Sequence, residues 1–406
     1  MKSNELKYYL RGIAGIFAGL GACGGVLTAY YAELGFTNSQ IASFSTIGSI
    51  MQVLVYVGSI FLADRFQKIK EWIAWLSLSS VLPCLALLPF CMPEAVMDTA
   101  SAYPLYLAAT CINNLMAGLA GLLMYRLPYL IIDMKDFARL ENINSIVSNV
   151  FSIASKAVLT FFTALFTLRQ IMHAGMLIGI LFSVLYTVLV LSMKIDSSTE
   201  DTGSSSIPSG AGISTRSSFS LEKLQKKEIS YFHLPNFLRG ISSGAMTLIA
   251  VVCMNEISSD ATILSALTTL MAVSTILASL VYQALRKKIT TVKLYLASSV
   301  VMCIFLTLML VGNHVIIFFC CFFLAYIGYI IISTAGAVYA TEIVGYHDIG
   351  TYTALRLIAI MGGTALASQT IAIAMDYIPA ILIMTICGLC QLISGIMFYR
   401  FDVRYR

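Results

Sequence analysis

The sequence predicts an all-α membrane protein with twelve transmembrane helices in two pseudo-symmetric six-helix bundles. Three observations carry this. Of 406 residues, 59% are hydrophobic and 11% are charged, whereas soluble proteins carry roughly 25% charged residues. So little polar surface cannot solvate a globule, so the solvent must be lipid. Twelve apolar segments are long enough to cross a bilayer core, which needs about 20 residues per helix. One polar stretch, 194–230, divides them six and six. Its Ser, Gly, Thr and charged residues cannot build a core and read as a solvated linker. The expected domains are therefore an N-terminal bundle, 1–193, a cytoplasmic linker, 194–230, and a C-terminal bundle, 231–406.

The first segment, Tyr8–Ala32, is rich in glycine, and Gly15 with Gly19 has the small-xxx-small spacing that lets helices approach closely. It is too long for a cleaved signal peptide and many spans follow it, so it reads as a span. The rest of the first half supplies Ile41–Ala63, Glu71–Cys91, Tyr103–Ile132, Glu141–Phe166 and Ile171–Met193. After the linker come Phe232–Met254, Ala261–Leu285, Val292–Val311, Val315–Ile343, Gly350–Met375 and Pro379–Phe398. Trp72 and Trp75, at the inner end of the third segment, read as interface anchors. No tryptophan is left in mid-membrane to stack on a sugar.

Charge sets the orientation. With the N-terminus inside, the outer connections hold one basic residue, Arg169, with Glu33, Glu94, Asp98, Glu256, Asp260 and Asp376. The inner ones hold Arg65, Lys68, Lys70, Lys135, Arg139 and the run Arg286–Lys288. Both termini and the linker are therefore expected in the cytoplasm. The short loops point to a plasma membrane, that of a bacterium. The net charge of +5 reflects this asymmetry; lipid is an expected partner and nucleic acid is not. The halves also echo each other. Tyr9-Leu10-Arg11-Gly12-Ile13 opens helix one and Phe237-Leu238-Arg239-Gly240-Ile241 opens helix seven. Repeated halves are how many secondary transporters build a site between two bundles.

With six plus six spans, a cytoplasmic linker and internal termini, the chain resembles the major facilitator superfamily over nearly its whole length. That family's basic turn between helices two and three has the form G-x-L-A-D-R-x-G-R-K. Here it runs from Ile60 to Lys70: Leu62, Ala63, Asp64, Arg65 and Lys68 fit, while Ile60 and Gln67 replace the glycines. The resemblance implies that Asp64, Arg65 and Lys68 form a cytoplasmic gate, and that helices one, four, seven and ten line a central cavity. Two departures weaken a proton-antiporting drug-efflux reading. Asn114 stands four residues before Gly118 where many members carry arginine, and Ser145–Phe166 contains neither Gly nor Pro.

An ionisable group within a span costs about 2.5–3.5 kcal/mol and is a functional candidate. Arg126, Lys156 and Arg356 stand out, with Glu342 as the nearest acid and the candidate for proton or sodium coupling. With Asn113, Asn114 and Tyr125, the three cations form the expected substrate site. They favour an anion, because guanidinium grips carboxylate or phosphate through a planar fork. The competing reading has Arg126 and Arg356 reaching the cytoplasmic surface, Arg356 paired with Glu342. Arg11 and Arg239, nearer the inner surface, read as snorkelling.

No GxxxxGK[ST] phosphate loop is present, so ATP hydrolysis is not expected. The ten cysteines lie in or beside apolar segments, with no zinc or disulfide framework. Four scattered histidines and no paired carboxylates within the spans argue against an enzyme, and no cofactor or metal is expected. The sequence thus predicts a secondary active transporter, a symporter acting as a monomer on a small organic anion. Two alternatives stay open: a carrier of a neutral or amphipathic compound such as a sugar or drug, and a non-transporting sensor on the same scaffold.

Overall fold

The computed structural model describes residues 3–19, 24–62, 68–92, 101–124, 127, 134–194, 227–343 and 349–405. The helices in chain order are α1 (Ser3–Ala18), α2 (Gly24–Glu33), α3 (Asn38–Leu62), α4 (Ile69–Ser77), α5 (Val81–Cys91), α6 (Ala102–Met124), α7 (Met134–Thr163) and α8 (Leu168–Leu191). They continue with α9 (Lys227–Thr247), α10 (Ile249–Glu256), α11 (Ala261–Arg286), α12 (Thr291–Leu308), α13 (Val315–Ile343), α14 (Ile349–Ala374) and α15 (Ala380–Tyr405). A short 3₁₀ turn, Leu78–Ser80, joins α4 to α5. No strand occurs among the described residues.

Each of the twelve expected segments overlaps a helix or a pair of helices. Among the described residues eight helical segments are long and apolar enough to span, or nine when α9 and α10 count as one bent span. The expected spans outside that count are the first, fourth and fifth. Residues 20–23, between α1 and α2, and 128–133, after α6, lie outside the description. Only Val147–Thr163 of α7 is apolar, its first turns carrying Lys135, Asp136, Arg139 and Glu141.

The chain forms two compact units, Met1–Gly35 with Phe61–Ile213, and Phe36–Ile60 with Ser214–Arg406. In the first, α1 packs along α8 and α7, while α4 and α5 pack on α6 and α8. Tyr8, Ile73, Leu76, Leu123, Leu127 and Val190 form a buried apolar cluster there. The C-terminal end of α8 is closed by side chains from elsewhere. Lys7 Nζ donates to the Ser192 carbonyl at 2.5 Å and Lys70 Nζ to that of Met193 at 3.1 Å. Asn4 exchanges two bonds with the Lys194 backbone, at 2.8 and 3.1 Å. Cations at a helix C-terminus satisfy its last carbonyls and oppose the negative end of the helix dipole. At the other end of α8, Thr167 and Gln170 form a reciprocal cap, and Arg169 Nε meets Glu33 Oε1 at 3.0 Å. Trp72 and Trp75 are 46% and 65% exposed. Lys68, before α4, is exposed and holds φ at 23°.

In the second unit α9 and α14 approach closely. A Cβ on Gly240 would collide with the Ile360 carbonyl oxygen and stand 2.9 Å from Gly363 Cα. One on Gly363 would collide with the Phe237 carbonyl. Thr364 Oγ1, donating to the Gly240 carbonyl at 3.1 Å, bonds the two helices where they touch. A buried polar chain ties α9 to α15 and α12: Ser242 Oγ donates to Gln391 Oε1 at 2.8 Å, and Gln391 Nε2 to Ser299 Oγ at 3.0 Å. The helix bends by 47° between α9 and α10, at Leu248. α3 joins this unit through polar contacts. Gln369 Nε2 donates to Ser39 Oγ at 2.7 Å, and Thr46 Oγ1 lies 3.4 Å from both Gln369 Oε1 and the Ala365 carbonyl. Ser45 Oγ reaches Thr247 Oγ1 at 3.3 Å.

Candidate functional site

The first unit carries a half-open cavity of about 370 Å³. Small side chains make the space. α1 presents Gly15 and Ala18, and α6 presents Ala117, Ala120 and Gly121. A Cβ added at Gly121, or at Gly19 beyond α1, would meet nothing within 4 Å. The α4–α5 junction contributes Ser77, Ser80, Pro83 and Cys84. α8 contributes Met176, Ser183 and Tyr186.

The lining is uncharged but hydrogen-bonded. Ser79 Oγ donates to the Leu76 carbonyl at 2.7 Å and lies 3.2 Å from the Asn113 carboxamide. Ser80 Oγ donates to Ser183 Oγ at 2.9 Å. At one end stands Met124, whose sulfur lies 3.6 Å from the Tyr186 hydroxyl and 3.5 Å from Arg11 Nη1. The Arg11 guanidinium also covers the Tyr8 ring, 4.2 Å from its centroid, a favourable cation–π arrangement.

Of the expected substrate residues, Asn113 lines this cavity. Asn114 turns back, Nδ2 donating to the Thr110 carbonyl of its own helix at 2.9 Å. Lys156 is half-buried on α7, and its ammonium has no hydrogen-bond or ion-pair partner among the described residues. Arg356 is buried on α14 at 6% exposure. Glu342 lies on α13, its side chain outside the described set. Tyr125, Arg126, Asp64 and Arg65 fall outside the described residues.

The structure departs from the snorkelling expected of Arg11 and Arg239, which are only 7% and 4% exposed. Arg11 folds back over Tyr8 and Met124 instead of reaching for water. The Arg239 guanidinium lies against α13, Nη1 being 3.3 Å from where a Gly336 Cβ would stand, and neither Nε nor Nη1 has a partner among the described residues. The glycine after each matched arginine explains the depth. A Cβ on Gly12 would stand 2.6 Å from Asn144 Oδ1 of α7, and Gly240 abuts α14, so both helices enter their units tightly packed at this turn. The repeated pentapeptide was the signal for this pair. No group of three or more His, Cys, Asp or Glu side chains able to hold a metal occurs among the described residues.

No family model and no curated protein matches the sequence. Solved structures do. A mutant of the nucleoside transporter NupG aligns at 13% identity over 100% of both chains, with a TM-score of 0.73. The inward-open xylose transporter XylE from E. coli aligns at 13% identity over 98% of this chain and 95% of its own, with a TM-score of 0.72. A bacterial metal transporter aligns at 12% identity over 99% of both chains, with a TM-score of 0.70. Similarity over full length at such low identity is a similarity of architecture, and the chain has the fold of the major facilitator transporters.

Proposed function

We propose that the chain is a secondary active transporter that carries a small organic anion by alternating access, in a plasma membrane with both termini cytoplasmic. Its moving parts would be the bundles 1–193 and 231–406, joined by the linker 194–230. One observation supports an anion above a neutral cargo. Among the described residues the buried charged side chains are three arginines, Arg11, Arg239 and Arg356, and no carboxylate. A buried cation is costly within a membrane, and an anionic cargo offsets part of that cost during the cycle. Lys156 adds a half-buried ammonium. Arg126, Lys156 and Arg356 remain the proposed cargo contacts, assisted by Asn113, Asn114 and Tyr125. Glu342 is the proposed proton or sodium coupling group, and Asp64, Arg65 and Lys68 the cytoplasmic gate.

A neutral cargo has one observation of its own, the uncharged cavity lining. Two of the similar structures are also those of a nucleoside transporter and a xylose transporter. Thermal stabilisation of the purified protein separates the two readings, because a ligand of the native state raises its apparent stability by mass action. The panel is carboxylates, sugar phosphates, sugars and nucleosides, applied to the wild type, Lys156→Gln and Arg356→Gln. Stabilisation by an anion, weakened about tenfold (~1.4 kcal/mol) in either variant, is the expected outcome. Stabilisation by neutral compounds alone, unchanged in both variants, would replace the anion with a neutral cargo.

A further inference from the structure

We propose that the cavity of the first unit is a binding site for a small monocarboxylate with a compact, largely apolar body, and that Arg11 is its cationic contact. This rests on the anionic-cargo reading and gives it a site that takes only Asn113 from the residues proposed above.

Three features meet there. The first is room: about 370 Å³, at the lower end of the ~300–1,000 Å³ found for small-molecule sites. The second is a polar group within that room, the Asn113 carboxamide, which lies 3.2 Å from Ser79 Oγ and has further hydrogen-bonding capacity to offer. The third is a cation directly behind the wall. Arg11 is 93% buried, its Nε has no partner among the described residues, and its Nη1 rests on the Met124 sulfur. A thioether is a weak acceptor, and methionine is the most adaptable of the apolar side chains. When Met124 swings aside, Arg11 exchanges a weak N–H···S contact for a charge-assisted bond to a carboxylate oxygen. The Tyr186 hydroxyl, which shares the same sulfur, is released at the same moment to donate to the second oxygen.

The charge count fixes the class. With one cation behind the wall and no charged residue lining the cavity, a monoanion is neutralised, a dianion is left with excess charge, and a cation meets no partner. Pro83, Cys84 and Met176 offer the body of the ligand an apolar face.

The experiment measures stabilisation of the full-length purified protein by acetate, benzoate and naphthoate, each against its neutral amide, in four proteins. They are wild type, Arg11→Gln, Arg11→Lys and Gly121→Leu. Gly121→Leu fills the cavity, and the open space around its Cβ lets it fold even where Arg11→Gln does not. The expected result is a preference for carboxylate over amide in the wild type, lost about tenfold or more in Arg11→Gln, partly kept in Arg11→Lys, and absent in Gly121→Leu. Equal carboxylate binding by wild type and Arg11→Gln, or by wild type and Gly121→Leu, overturns this site while leaving the anionic cargo standing. Amides binding as well as carboxylates overturns the assigned ligand class. If no carboxylate stabilises the wild type, this site falls, and the sugar phosphates of the wider panel then decide whether the anionic reading falls with it.

Discussion

At the scale of single residues, charge and backbone conformation decide the most. Lys68 occupies φ 23°, ψ 52° at the start of α4, in the left-handed region that costs a side-chain-bearing residue about 1–2 kcal/mol. It is exposed, so little packing opposes a change there. Lys68→Gly is expected to raise the unfolding temperature of the detergent-solubilised protein, from a gain of about 1 kcal/mol. An unchanged or lower temperature would mean that the lysine side chain stabilises the turn by as much as its backbone strains it. The sequence showed the matched Arg11 and Arg239 through their pentapeptides, but not their burial. An arginine one or two turns inside a helix end has the reach to find water or to fold inward, and only the packing of Tyr8, Met124 and Gly336 selects the second.

At the scale of elements, small residues do opposite work in the two units. Gly240 and Gly363 let α9 and α14 touch backbone to backbone, while Gly121 faces open space. Gly240→Ala and Gly363→Ala should therefore destabilise by about 1–3 kcal/mol, the usual cost of overpacking. Gly121→Ala should stabilise by up to ~1 kcal/mol through helix propensity alone. Unfolding temperatures of the three variants test this, and the same sign for all three would contradict it. The helices were legible because lipid demands long apolar runs, and those runs are visible in any window. Their interruptions were less so. The bend at Leu248 has neither proline nor glycine at the break, in Thr247-Leu248-Ile249, so no local signal announced it. The cavity was invisible for a different reason. It arises where the absent side chains of α1 and α6 face the α4–α5 junction, and hydropathy carries no information on which faces meet.

At the scale of the whole molecule, the fold class was readable from composition and the six-plus-six pattern, and the full-length similarity to solved transporters agrees with it. The partnership of α3 was not. Its contacts to Gln369, Ala365 and Thr247 group Phe36–Ile60 with the C-terminal half of the chain, although its place in the sequence puts it in the first bundle. A few hydrogen bonds between hydroxyls and an amide are worth about 0.6 kcal/mol each in a membrane protein. Contacts that weak cost little to exchange, whereas the α9–α14 crossing sets backbone against backbone.

The direct measurement is counterflow in proteoliposomes. The purified chain is reconstituted with an unlabelled carboxylate inside, and entry of the same compound, radiolabelled, is followed from outside, with a pentose and a nucleoside as neutral counterparts. Saturable uptake of a carboxylate, faster with internal substrate than without and slowed in Lys156→Gln, is expected of an anion carrier. Uptake no greater than in protein-free liposomes for every anion tested, from a protein that remains folded, would contradict it.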